Sequence, residues 1–276
     1  DKYMLRWLEP YLVSNRLNEI DNKVIEKIIQ AKLNEGVSKT RVNRVTTLIG
    51  SILNKAKIEW NWIERVPFIR KFKEPKKRVR WITKQEAERL MRELPEHLEA
   101  IARFNLATGL RMRNVTHLEW EQVDLQRKVA WIHSDQIKND KALPVPLNQD
   151  AIRILRQQIG KHPIRVFTFK GKPIDNANTR ILRQCLANAG IDNFRWHDFR
   201  HTWASWHVQN GTPLHVLKEL GGWSSMDMVL KYAHLSPRHL ENYAGAKYGQ
   251  EMQTVIYLPM SSRRNKMLGC ITVQSI

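Results

Sequence analysis

Eight of the sixteen residues from Arg65 to Arg80, RVPFIRKFKEPKKRVR, are Lys or Arg, and only Glu74 is acidic. Pro67 and Pro75 discourage a continuous helix, because proline has no backbone N–H and disfavours the helical conformation in the residue before it. Such a stretch belongs on a surface, so the chain has to close one core before it and another after it. The organisation that follows is a first domain at residues 1–72, a basic linker at 73–80, a second domain at 81–248 and a tail at 249–276. A length of 276 residues suits two domains of ordinary size.

The first part reads as helical. Leu5, Leu8, Tyr11 and Leu12 form one stripe at helical spacing, and Val24, Ile25, Ile28 and Ile29 another. Gly36 is a helix stop and Ser38 the next N-cap. From Thr40 to Lys57 one face carries Val42, Val45, Leu48, Ile49, Ile52 and Leu53, while Arg41, Arg44, Lys55 and Lys57 decorate the rest. Three or four such helices make a small bundle.

The second part mixes helix with some strand. Thr83-Lys84-Gln85-Glu86 is a capping box, and Ala87, Leu90, Met91 and Leu94 continue its helix. An apolar helix around Ile101 to Ala107 ends at Thr108-Gly109, which leaves Arg111 just beyond a glycine turn. Val129–Ile132 and Ala142–Leu147 read as strands joined by a turn over Lys138–Lys141, with Pro144 and Pro146 placing the later strand at an edge. Helices are expected over Asp150–Gln158, with Ile152, Leu155 and Ile159 inward, and over Asn178–Ala189, stopped by Gly190; Ile164–Phe169 reads as a short strand. The fold class is mainly α with a small β-hairpin or sheet, an α+β chain.

Charge narrows the partner. Against 27 Asp and Glu stand 46 Lys and Arg, a formal +19. A solvated surface needs no such excess, so the partner is a polyanion, with nucleic acid first and an anionic membrane second. No run of about 18 apolar residues spans a bilayer. Phosphate contacts are expected from Arg41, Arg44, Arg70, Lys71, Lys73, Lys76, Lys77, Arg78 and Arg80. The start, DKYMLRWLEP, has neither an initiator Met nor the form of a signal peptide. Cys185 and Cys270 form no disulfide framework or metal cluster, which fits a reducing cytosol, and Cys185 reads as a small buried hydrophobe. Neither a P-loop nor a carboxylate cluster for two-metal chemistry is visible, so no cofactor is expected.

The chemistry concentrates between Trp196 and His234. His197 and Arg200, three apart, emerge on one helix face. One can move a proton; the other is a permanent planar cation suited to phosphate oxygens. Leu220-Gly221-Gly222-Trp223 follows, then Leu230-Lys231-Tyr232-Ala233-His234, and tyrosine can serve as a covalent nucleophile. Trp203 and Trp206 share a face of the same helix and read as packing. Together these residues point to phosphoryl transfer.

In order, Ala107-Thr108-Gly109-Leu110-Arg111, Ile137-Lys138-Asn139, His197 to Ser205, Leu220 to Ser225 and Leu230 to His234 resemble the tyrosine recombinase, or phage integrase, family. The resemblance covers residues 79–245 closely and residues 1–72 loosely. It implies a helical, SAM-like core-binding domain and a catalytic domain that form a C-shaped clamp on double-stranded DNA. It implies that Tyr232 attacks the scissile phosphate to give a 3′-phosphotyrosyl link, and that Arg111 and Arg200 hold the non-bridging oxygens. By the same resemblance Lys138 protonates the departing 5′-oxygen, His197 assists proton transfer at the nucleophile, and Trp223 buttresses the phosphate or hydrogen-bonds it. Asp198, His201 and His234 match the pattern as structural or supporting residues. A tetramer on paired core sites, accessory DNA-bending proteins, and a bacterial, nucleoid-associated cytoplasmic setting are implied too. Two departures stand out: Asn114 occupies a position that is commonly acidic, and the family's arm-type DNA-binding domain is not seen. Two other readings are a non-catalytic remnant of a decayed integrase and a type IB topoisomerase-like relaxase.

Overall fold

The computed structural model describes residues 2–74, 79–133 and 142–236, and its chain divides between Arg78 and Val79 into two compact units. Lys76, Lys77 and Arg78, the turn carrying Lys138, and the tail from residue 237 lie outside the described residues.

The first unit is built on α1 (Lys2–Leu12), α2 (Asn22–Asn34) and α3 (Lys39–Ile58). Asp21 caps α2 by accepting from the N–H groups of Lys23 and Val24, and Ser38 caps α3 by accepting from that of Arg41. Gly36 lies between them with φ +72°, a value only glycine adopts freely. Ile25, Ile28 and Ile29 meet Val42, Val45, Ile49 and Leu53, with Leu8 of α1 closing the core. Helix does not continue to residue 72: α3 ends at Ile58, and residues 61–74 form no helix. The segment instead lies along the bundle through Val66, Ile69 and Phe72. Asn43, almost wholly buried, holds it there: its amide donates to the Phe72 carbonyl (2.8 Å) and its oxygen accepts from the Phe72 N–H (2.9 Å). Much of the basic stretch is therefore part of this unit's body. Arg41, Arg44, Lys71 and Lys73 are exposed, whereas Arg70 pairs with Glu26 (3.0 Å).

The second unit holds α4 (Lys84–Glu93), α5 (Glu96–Thr108), α6 (Met112–Thr116), α7 (Gln149–Gln158), α8 (Thr179–Asn188), α9 (Trp196–Gln209), α10 (Leu214–Gly221) and α11 (Asp227–Leu230). Thr83 starts α4 with the expected capping box, in which its hydroxyl accepts from the Glu86 N–H and the Glu86 carboxylate from the Thr83 N–H. α5 runs between α7 and α9. Phe104 and Ile101 of α5, Leu155 of α7, Phe199 of α9 and Phe167 fill the core. β1 (Val123–Asp124), β2 (Val129–Ile132) and β3 (Leu143–Pro146) form an antiparallel sheet with β2 in the middle, Trp131 facing Pro144 and Ala130 facing Val145. β3 is an edge strand, where the missing N–H groups of Pro144 and Pro146 are tolerated. A second pair, β4 (Thr168–Phe169) and β5 (Lys172–Pro173), is all the strand that forms after Ile164 among the described residues. Ile159 does not point inward. It stands at the end of α7, where the backbone turns extended, and is 58% exposed, while Ala151 and Ile154 fill the inner face with Ile152 and Leu155.

A smaller core lies on the far side of α9, where Trp203, Ala204 and Val208 meet Leu217, Trp223, Val229 and Tyr232. α9 is thus buried on two sides. One side anchors it in the main core, and the other carries the chemistry.

Candidate active site

Arg200 is the centre. It is 4% exposed, and its guanidinium donates from Nη1 to the Gly109 carbonyl (2.6 Å) and from Nη2 to the Gly221 carbonyl. Gly109 caps the C-terminus of α5 and Gly221 is the last residue of α10. Helix C-termini carry unsatisfied carbonyls and partial negative charge, so two helix ends aim at one buried cation. The indole of Trp223 lies 4.2 Å from the guanidinium carbon, adding a cation–π contact. Burial, then the nearby Arg111 charge, lower the Arg200 pKa to about 10, which leaves it charged at neutral pH. Of its five N–H groups, two serve the carbonyls and three remain for an oxyanion.

The glycines are what permit this closeness. A Cβ on Gly109 would lie 2.2 Å from the ring of Trp203, and one on Gly221 would lie 2.1 Å from the ring of Trp223. Gly221→Ala should therefore push Trp223 off Arg200. Expected is a loss of about 1–3 kcal/mol of stability, as for overpacked cores, read as a lower midpoint in thermal denaturation. An unchanged midpoint would show that the indole has room to shift.

Tyr232 follows α11 with its side chain fully buried (0% exposed). Its ring is tilted against Trp223 (centroids 5.9 Å apart), and its hydroxyl meets Nδ1 of His201 at 2.6 Å. Burial raises the phenol's pKa well above its ordinary value, opposed by Arg200 and reinforced by Asp198. His197 is one turn before His201, edge-on to it with centroids 4.7 Å apart, and part of its ring is open to solvent. Burial of the remainder, then Arg200, lower its pKa, so the imidazole is neutral near pH 7. Among the described residues no hydrogen bond joins His197 to Tyr232.

Arg111 is half-buried at the start of α6, close enough to Arg200 and His197 to lower the pKa of each. Lys231 adds a further cation, with its ammonium 5.1 Å from the Tyr232 ring centroid and its pKa lowered by burial, then by Arg200. Asp198, beside His197 in the sequence, caps α9 by accepting from the Arg195 N–H (2.8 Å) and faces the Arg195 guanidinium at 3.8 Å. Asn114 is buried, at 5% exposure, and His234 is exposed. Arg80 is committed within its own unit, donating to the carbonyls of Asp192 and Trp81.

Five of the six residues named from sequence thus converge, namely Arg111, His197, Arg200, Trp223 and Tyr232; Lys138 lies outside the described residues. Sequence reasoning missed the carbonyls of Gly109 and Gly221, Lys231, and the His201 contact. The adjacency of Lys231 to the tyrosine was the one visible sign among them. Among the described residues, no group of three or more His, Cys, Asp or Glu side chains is placed to hold a metal.

What this arrangement offers is a buried tyrosine beside Arg111, Arg200 and Lys231, cations that make no salt bridge among the described residues. The sequence profile of the phage integrase family matches residues 80–239. The integrase of Salmonella phage P22 is 44% identical over 212 residues, which cover 72% of this chain and 54% of that protein. A shufflon-specific DNA recombinase of Escherichia coli is 28% identical over 83% of this chain and 60% of its own length. The chain thus spans little more than half the length of these relatives. A solved structure of the Tn1549 transposon integrase with transposon right-end DNA superposes with a TM-score of 0.71, covering 89% of this chain and 92% of that one. At 16% identity that likeness concerns the fold, two domains of mainly helical structure with a small sheet. With the profile spanning more than half of its length, the chain belongs to the phage integrase family, the tyrosine recombinases.

Proposed function

We propose that this chain cuts and rejoins double-stranded DNA through a 3′-phosphotyrosyl intermediate, as the site-specific recombinase of a prophage or other mobile element. The observation that carries the reading is Arg200, buried beside a buried tyrosine and without a carboxylate partner among the described residues. A phosphodiester is an anion of the right size and charge to complete such a site.

In this reading Tyr232 is the nucleophile. Arg111 and Arg200 hold the non-bridging oxygens, where charge grows in the transition state, in a fixed geometry that needs no reorganisation. The indole N–H of Trp223, which has no acceptor among the described residues, donates to the same phosphate. His197 presents a neutral imidazole on the open side for proton movement around the phosphate. Lys138 gives a proton to the departing 5′-oxygen. Residues 1–72 act as a core-binding domain, with Arg41, Arg44 and the basic stretch on phosphates, and the two domains close on the duplex as a clamp. In the same reading the protein works as a tetramer on paired core sites, helped by accessory DNA-bending proteins, in the cytoplasm at the bacterial nucleoid.

A selection from random sequence tests this without a known target site. A library of nicked duplexes with randomised centres is incubated with the protein, and SDS-stable adducts are collected and sequenced. Expected are adducts that converge on one core sequence, with affinity falling steeply as salt rises because several phosphates are contacted. A complete lack of adducts from a protein that binds DNA would overturn the phosphotyrosyl reading.

A further inference from the structure

The hydroxyl of Tyr232 has one partner among the described residues, and that partner is not His197. Nδ1 of His201 lies 2.6 Å from it, with the two rings tilted by 50°. The remainder of the tyrosine is enclosed by Trp223 and by the small core of Trp203, Val229 and Leu217. Among the described residues the phenolic proton therefore has one basic atom within hydrogen-bond reach. Lys231 is near the ring, but an ammonium has no lone pair to accept with.

Resting on the phosphotyrosyl reading, we propose that His201 is the general base that takes the phenolic proton from Tyr232 and returns it on rejoining. With Nε2 carrying the ring's own proton, Nδ1 accepts the hydrogen bond from the hydroxyl. On cleavage the phenolic proton moves to Nδ1, the Oη–phosphorus bond forms, and the phosphorus–O5′ bond breaks. The leaving 5′-oxygen takes its proton from the general acid. On rejoining, the 5′-hydroxyl gives that proton back as it attacks, the Oη–phosphorus bond breaks, and the imidazolium reprotonates the phenolate. No other reactant is consumed.

α9 makes the arrangement possible. Arg200 and His201 are consecutive, so one helix sends a cation towards the phosphate and a base towards the nucleophile. Electrostatics tie the base to the substrate. Burial, then chiefly the charge of Lys231, with Arg200 and Arg195 adding to it, push the His201 pKa down to about 3 in the empty site. An imidazolium is strongly disfavoured there, so His201 rests neutral and able to accept. A bound phosphodiester brings a negative charge among those same cations and offsets part of that repulsion. Proton transfer to His201 is thus less costly when DNA is in place than in the empty site.

The experiment measures the rate of adduct formation on the nicked duplex selected from the randomised library. His201→Ala and His201→Gln are each compared with wild type, both with tyrosine and with 3,5-difluorotyrosine at position 232. The fluorinated phenol is more acidic and depends less on a base. Expected is a loss of about 10²–10⁴-fold in the His201 variants with tyrosine, largely recovered with difluorotyrosine, while DNA binding is unchanged. A His201 residue that merely shapes the site would give the same loss with both phenols, and that result would overturn the proposal. So would a variant that cleaves at the wild-type rate. If His201→Ala does not fold, the same comparison in His201→Gln decides. Wild type forming no adduct that Tyr232→Phe removes would instead sink the phosphotyrosyl reading itself.

Discussion

Tyr232→Phe is expected to bind the selected duplex as tightly as wild type and to form no SDS-stable adduct. The substitution deletes one atom. The ring keeps its place against Trp223 and within the small core, so packing is preserved. His201 Nδ1 loses its hydrogen-bond partner, which costs about 1 kcal/mol and is far too little to unfold a unit with so large a main core. What vanishes is the phenolic oxygen, and with it any covalent route to phosphorus. Mobility-shift and denaturing-gel measurements on the same samples separate the two outcomes. Adducts that persist would mean another nucleophile and would remove Tyr232 from the mechanism.

Arg200→Lys is the second test with a large expected effect. It conserves the charge and changes the geometry. A guanidinium reaches the Gly109 and Gly221 carbonyls, lies over the Trp223 indole and still presents N–H groups to an oxyanion. An ammonium has three donors on a point charge and cannot satisfy two carbonyls on different helices while also holding a phosphate. Expected is a fall in adduct formation of at least ~10²-fold, the scale of losing one preorganised oxyanion donor. A buried carbonyl left without its donor should also lower stability by about 1–3 kcal/mol. Adduct rate and thermal midpoint measure the two effects. Cleavage within tenfold of wild type would show that charge alone is required, and the fork geometry would lose its part in the argument. The two predictions differ in kind, since Tyr232→Phe removes chemistry from an intact site whereas Arg200→Lys loosens the site itself.

Much of this molecule can be read from the order of its residues, because the forces involved act within a turn or two. Ser38 and Thr83 mark helix starts since a side-chain oxygen three residues before a free N–H can satisfy it. Gly109 marks a helix end since only glycine adopts its φ of +65° without strain. The apolar rhythm of α3 identifies Val42, Val45, Ile49 and Leu53 as core, and Pro144 and Pro146 place β3 at an edge. The helix–strand composition and the order of the reactive residues, from Arg111 to Tyr232, are legible in the same way. Where local rhythm ended, so did its reach. Ile159 continues the pattern of α7 but stands at the helix end, exposed, and the helical reading of the first part stops at Ile58, beyond which the bracket from Asn43 holds the segment around Phe72 on the bundle.

The site's inner geometry belongs to the tertiary structure. Arg200 bonds carbonyls 91 residues before it and 21 after it, and His201 meets a hydroxyl 31 residues on. No periodicity encodes such contacts, because they depend on the angles at which α5, α9 and α10 pack, and those angles depend on tryptophan rings lying close against two glycines. By itself the sequence determined which residues carry charge, proton-transfer capacity and a nucleophilic oxygen, and in what order. Only packing decided that the histidine beside the arginine, rather than the one three residues earlier, touches the tyrosine. Successive side chains on a helix point about 100° apart, so which of them reaches a distant group is set by how the helix is rotated in the core.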